Sequence, residues 1–199
     1  MKQQVTTILV TSLISTFFAV LITTTLQQMG QPSEQEKQIS AYYANSTATL
    51  KSPHSLRKEM NRGYHDYIVV DTRAVEDYEN GHITGAINID SEQSVDEVVT
   101  AFKQIQETSD KPILIYCYSA SCMNGRKVGN ALAKNGIFVH ELTVGYNEWE
   151  FIPDSWNYPL ESGTYDIKNY ITRGSEPGEP IVDLKALSEG CGVEGELSC

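Results

Sequence analysis

Four short runs rich in Ile, Val and Leu punctuate the middle of the chain, at residues 67–70, 85–89, 113–116 and 137–142. Each is too short for a helix and reads as a strand buried on both sides. The segments between them carry helical signals instead. Ser94 has Glu97 at the capping-box spacing, and Val95, Val98, Val99, Phe102 and Ile105 then fall on one face. Residues 124–135 form a further helix with Gly136 at its stop, and residues 76–80 a short one closed by Gly81. Ahead of the first run, Ser52 and Pro53 have the chemistry of an N-cap and a first helical residue, and HSLRKEMNRG runs on to a glycine stop. Strands that alternate with helices imply an α/β fold whose mostly parallel sheet is flanked by helices on both faces. Ligands of such sheets sit beyond the carboxyl ends of the strands, and Cys117 follows directly on the third run.

Charge narrows the partners. The 199 residues carry 26 acidic and 15 basic side chains, a net charge of −11. A nucleic-acid partner would be bound against an average field that repels it, so none is expected. A small anion remains compatible only if its site is locally positive.

The ends of the chain differ from its middle. No ionisable side chain lies between Lys2 and Glu34, and the apolar run at 5–26 is long enough to cross a bilayer. Residues 1–30 therefore read as a signal anchor or a signal peptide; no A-x-A-like cleavage site follows the run. With Lys2 inside, the expected location is the cytoplasmic membrane, single-pass, with the domain on its outer side. Residues 31–50 read as a polar linker with helical potential, 51–160 as the folded domain, and 161–199 as an acidic tail containing Cys191 and Cys199. An even number of cysteines in an exported chain invites disulfides.

The third run ends in a loop with its own chemistry. A cysteine between a buried strand and a helix lies near the free N–H groups and positive dipole of the helix start, which favour a thiolate. Around Cys117 the loop residues Tyr118, Ser119, Ala120, Ser121, Cys122, Met123 and Asn124 are mostly small or polar, and Arg126 and Lys127 follow. These basic residues supply the positive patch that a small anion requires.

Several blocks in order then point to a family. They are VVDTR at 69–73, DYENGHITGAINI at 77–89, ILIYC at 113–117, LAKNG at 132–136 and GYNEW at 145–149. With these motifs, residues from about Ser52 to Leu160 resemble a single-domain rhodanese. The resemblance implies a sulfurtransferase in which Cys117 accepts sulfane sulfur as a persulfide from a small sulfur-containing anion such as thiosulfate, or from a persulfide. Cyanide or a thiol, including a thiol protein, would take the sulfur on. No metal or organic cofactor is implied.

The loop departs from the family pattern by running about two residues longer and by containing Cys122. Neither cysteine has the Cys-x5-Arg spacing that phosphatases of related fold use, so phosphate chemistry is disfavoured. Cys122 is open to two roles, a resolving thiol that forms a disulfide with Cys117 or the sulfur carrier itself. A second class of function is a binding or redox-sensing module with a Cys117–Cys122 switch. Structural roles are expected for Asp71 as a turn cap, Arg73 as the partner of a carboxylate such as Glu76 or Asp77, and His82 bonded to nearby backbone. His54, His65 and His140 are scattered, and no pair has metal-ligand spacing.

Overall fold

A computed structural model of the chain describes residues 31–156 and 166–182, with Phe17 alone ahead of them. The chain divides into two compact units, residues 1–46 and 47–199. The described part of the first is most of helix α1 (Glu34–Thr49). Ser33 and Glu36 open this helix by bonding to each other's backbone N–H, at 3.2 and 2.6 Å. Apart from Phe17, the apolar run at 5–26 lies outside the described residues, and among the described residues no helix is long and apolar enough to cross a membrane.

The second unit contains β1 (Leu50–Lys51), α2 (Pro53–Met60), β2 (Ile68–Asp71), α3 (Val75–Asn80), β3 (His82–Ile83) and β4 (Ile87–Asn88). There follow α4 (Val95–Thr108), β5 (Ile113–Tyr116), α5 (Met123–Lys134), β6 (Val139–Leu142) and α6 (Tyr146–Phe151). Five of the strands form one sheet in the order β1-β6-β5-β2-β4. Every pairing in it is parallel, because helical crossovers return the chain to the same end before each new strand.

Side-chain alternation along β5 builds a core on each face. Ile113 and Ile115 pack with Val98, Val99 and Phe102 of α4 and with Val128 and Leu132 of α5. Leu114 and Tyr116 turn the other way, into a cluster with Leu56 and Met60 of α2 and Trp149 of α6. Continuing the alternation, Cys117 belongs to the face that α5 covers and Tyr118 to the opposite one. The strand period thus assigns the sulfur to the start of α5.

Two segments differ from the sequence expectation. Leu50, the last residue of the stretch read as a linker, and Lys51, the first of the domain, form β1 and join the sheet beside β6. Two residues are too few to show a period, so neighbouring pairing alone defines this strand. The stretch read as an acidic tail from residue 161 also has structure within it. Residues 167–170 make a 3-10 turn, and β7 (Ile171–Thr172) pairs antiparallel with β3. Tyr170 is buried there and donates its hydroxyl proton to Asn61 Oδ1 at 2.6 Å. A composition reading averages this apolar patch with the Gly, Pro and Glu around it. Residues 183–199, with Cys191 and Cys199, lie outside the described residues.

Candidate active site

Strand β5 delivers Cys117 to the carboxyl edge of the sheet, and a tight loop carries the chain from there to α5. Cys122 N–H bonds Ser119 O at 2.9 Å, which turns the loop back so that Cys122 becomes the N-cap of α5. The two sulfurs come to 2.7 Å from each other. Both are free thiols, Cys117 buried and Cys122 partly exposed.

Cys122 lacks the short capping bond that a Ser or Asp oxygen would make. The N–H groups of Asn124 and Gly125, left over at the helix start, face its larger sulfur together with the N–H of Tyr118. Burial opposes ionisation of Cys122, but the hydrogen bond from Cys117 and those from Asn124, Tyr118 and Gly125 outweigh it and bring its thiol below the ordinary range. Burial pushes the Cys117 thiol up to about 11, and its hydrogen bond to Cys122 adds to the rise. The pair therefore loses one proton early and keeps the other on Cys117. A thiolate exists above its pKa and disappears as pH falls through it. Alkylation by iodoacetamide, followed by peptide mapping, is accordingly expected to modify Cys122 at pH values below the ordinary thiol range of about 8.5. Cys117 should stay unmodified until far higher pH, and equal rates at the two positions would contradict this electrostatic reading.

The remaining loop groups are committed elsewhere. Ser119 Oγ and Ser121 Oγ contact each other at 3.1 Å. Ala120 N–H donates to Glu148 Oε2 at 3.2 Å, and the same oxygen accepts Gly145 N–H at 2.9 Å. Met123 is exposed. Arg126, expected to face the anion, instead pairs with Glu141 at 3.6 Å, and the guanidinium side chain is 59% exposed. The amides of Asn124, Tyr118 and Gly125 supply the positive field in its place.

The start of α6 braces the loop from the other side. Tyr146 N–H donates to Cys117 O and Asn147 N–H to Tyr118 O, both at 2.9 Å. Gly145 comes so close that a Cβ on it would lie 2.2 Å from Ser119 Cα. Gly145→Ala is thus expected to push the two backbones apart, costing about 1–3 kcal/mol in urea unfolding. The sulfur chemistry of the loop should fall with it. Wild-type stability for this variant would contradict the close approach.

A model of the rhodanese-like domain family matches residues 52–151, half of the chain and the whole span of these elements from α2 to α6. The chain belongs to this rhodanese-like domain family. A relative, the uncharacterized protein YqhL of Bacillus subtilis strain 168, is 31% identical over 93 residues, which are 46% of this chain and 68% of that protein. Among solved structures, a Bacillus halodurans protein is 25% identical, with a TM-score of 0.48 over 59% of this chain and 82% of that one. A structure described as rhodanese with anions from E. coli is 23% identical, with a TM-score of 0.33 over 41% of this chain and 92% of that one.

Within the rhodanese-like domain, the residues expected to be structural are found in the wall beside the loop. Asp71 is fully buried; its Oδ1 accepts Arg73 N–H at 2.9 Å, capping the turn as expected. Arg73 corrects the expected pairing: it bonds Asp71 itself, at 2.6 Å, and not Glu76 or Asp77. With only one residue between them at a strand end, the guanidinium can fold back onto this carboxylate. His82 Nδ1 lies 2.9 Å from Tyr78 O, a backbone contact of the kind anticipated. Tyr118 donates to Asp77 at 2.6 Å and lines a cavity of about 320 Å³ with Arg73, Tyr146, Phe151 and Arg173. Glu148 and Gly145 were not singled out from sequence. The capping-box spacing of GYNE contained the signal for Glu148, whereas the clash at Gly145 exists only in three dimensions.

Proposed function

We propose that this rhodanese-like protein is a sulfurtransferase that carries sulfane sulfur as a persulfide on Cys117. One observation carries the reading. The N–H groups of Asn124, Tyr118 and Gly125 converge on a sulfur that sits 2.7 Å from Cys117 Sγ, and favour its thiolate. In the resting protein that sulfur belongs to Cys122. When a donor enters, its sulfur takes this place, with the same amides stabilising its charge.

With thiosulfate the step is a displacement at sulfur. The Cys117 thiolate attacks the outer sulfur while the Cys122 sulfur, out of the cradle, keeps the pair's proton. The S–S bond of thiosulfate breaks, and its electron pair leaves on sulfite. Cys117 then holds a persulfide anion, which cyanide or a thiol removes. No metal or organic cofactor takes part. We also propose that the apolar run at 5–26 tethers the domain to the outer side of the cytoplasmic membrane. Fusions at the C-terminus to alkaline phosphatase and to a cytoplasm-only reporter test this; activity of the second alone overturns it.

The activity is tested with thiosulfate and excess cyanide. Steady formation of thiocyanate is expected, and none above a protein-free control, from folded protein, would overturn the assignment.

The short sulfur contact also favours a second reading, a redox-sensing module whose resting state is a Cys117–Cys122 disulfide. Thiol alkylation with and without prior reduction separates the two. In denaturant, two alkylated loop thiols without reductant support sulfur transfer, and none until reduction supports the switch.

A further inference from the structure

We infer that Cys122 discharges the persulfide on Cys117 as sulfide, which gives the domain a persulfide-reducing activity besides sulfur transfer to external acceptors. This rests on the reading of Cys117 as sulfur carrier. The argument starts from the position that Cys122 occupies. Its sulfur takes up the Asn124 and Gly125 amides beside Cys117 Sγ, whereas the Tyr118 N–H faces both sulfurs, so those two amides serve one sulfur at a time. Once a donor has left its sulfur on Cys117, return of Cys122 to the cradle turns the outer sulfur away from it. Cys117 Sγ then lies between the incoming and the departing sulfur for a displacement at sulfur.

The step balances without any other reactant. Cys122 Sγ attacks Cys117 Sγ, closing the 2.7 Å gap to a disulfide bond of about 2.05 Å. The bond from Cys117 Sγ to the outer sulfur breaks, and its electron pair leaves with that sulfur. The thiol proton of Cys122 goes with it, so the product is HS⁻. The sulfane sulfur has been reduced by two electrons, and the two cysteines have been oxidised to a disulfide. Turnover then needs a dithiol, which restores both thiols in two exchange steps. The substrate class is a persulfide or thiosulfate sulfur, and the partner class is a dithiol protein or small dithiol.

The neighbourhood favours this exchange over a stable persulfide. The amides that face Cys122 make it easier to ionise than an ordinary thiol, which favours loss of its proton to the departing sulfur as it attacks. Ser119 O holds the backbone of Cys122 through its N–H at 2.9 Å, so the attacking sulfur stays on the loop beside its target.

The test uses the full chain, reduced and then freed of reductant, with thiosulfate and no external thiol. Released sulfide is read at an electrode, and the products by intact mass and non-reducing peptide mapping. Wild type is expected to release about one equivalent of sulfide, end about 2 Da below its reduced mass and yield linked Cys117 and Cys122 peptides. Cys122→Ser should keep the sulfur, about 32 Da above its starting mass, and release sulfide at least about 10-fold more slowly. Cys122→Ala is expected to behave in the same way, which separates loss of the thiol from any effect of the serine hydroxyl. Wild type that stays about 32 Da heavier and gives no sulfide overturns the inference and leaves Cys117 as carrier. A disulfide that maps to Cys191 or Cys199 overturns it too. If neither wild type nor the Cys122 variants take up sulfur, the underlying assignment of sulfur transfer falls, and the inference with it.

Discussion

Arg73→Ala is expected to destabilise the domain by about 3–5 kcal/mol, because it strands a carboxylate in the interior. Asp71 is fully buried and Arg73 only 3% exposed. The guanidinium meets the carboxylate through Nε at 3.0 Å and through a terminal nitrogen at 2.6 Å, and that nitrogen also donates to Gly81 O at 2.6 Å. Its plane lies over the Tyr146 ring at 3.9 Å. Alanine removes all of these partners together. Asp71 would keep the N–H of residue 73, which cannot offset the burial of a full charge. The unfolding midpoint in urea, followed by fluorescence of Trp149 and Trp156, measures the loss. Arg173→Ala is the matched control, since its ion pair with Glu150 involves a guanidinium side chain that is 62% exposed. Such pairs are worth about 1 kcal/mol or less. A small effect at Arg73, equal to that at Arg173, would contradict the picture of a buried pair bracing β2 and α3.

Cys117→Ser should abolish sulfur transfer, by at least about 10³-fold, as expected when a covalent nucleophile is lost. A serine hydroxyl stays protonated at neutral pH and does not form a bond to sulfane sulfur. The change is nearly isosteric, so the fold is expected to survive with a cost on the order of 1 kcal/mol for the buried hydroxyl. Thiocyanate formation reads the activity and urea unfolding reads the fold. Retained activity in this variant would move the carrier role to Cys122, whose lower proton affinity and partial exposure suit a nucleophile as well.

Much of this arrangement is legible in the sequence. The runs at 67–70 and 113–116 are β-branched and apolar on both sides, and they are the central strands β2 and β5. Ser94 and Glu97 marked the start of α4 because a capping box is local chemistry, and both halves of it are present. Cys117 could be placed at the site because a sheet edge follows from strand order. What escaped sequence reading depends on contacts between distant segments. β1 is two residues long and exists through its pairing with β6. The partner of Arg126 is Glu141, on a different element. Glu148 reaches Ala120, 28 residues away, to fix the loop. The 2.7 Å meeting of Cys117 and Cys122 needed the loop to turn back on Ser119, and neither residue type nor spacing determines that turn.

The assignment of Cys117 as the sulfur carrier is tested most directly by intact mass after thiosulfate, in variants that retain one loop cysteine each. Cys122→Ser is expected to gain about 32 Da and to lose it again on addition of cyanide, while Cys117→Ser gains nothing. A gain of sulfur on Cys117→Ser with none on Cys122→Ser would contradict the account.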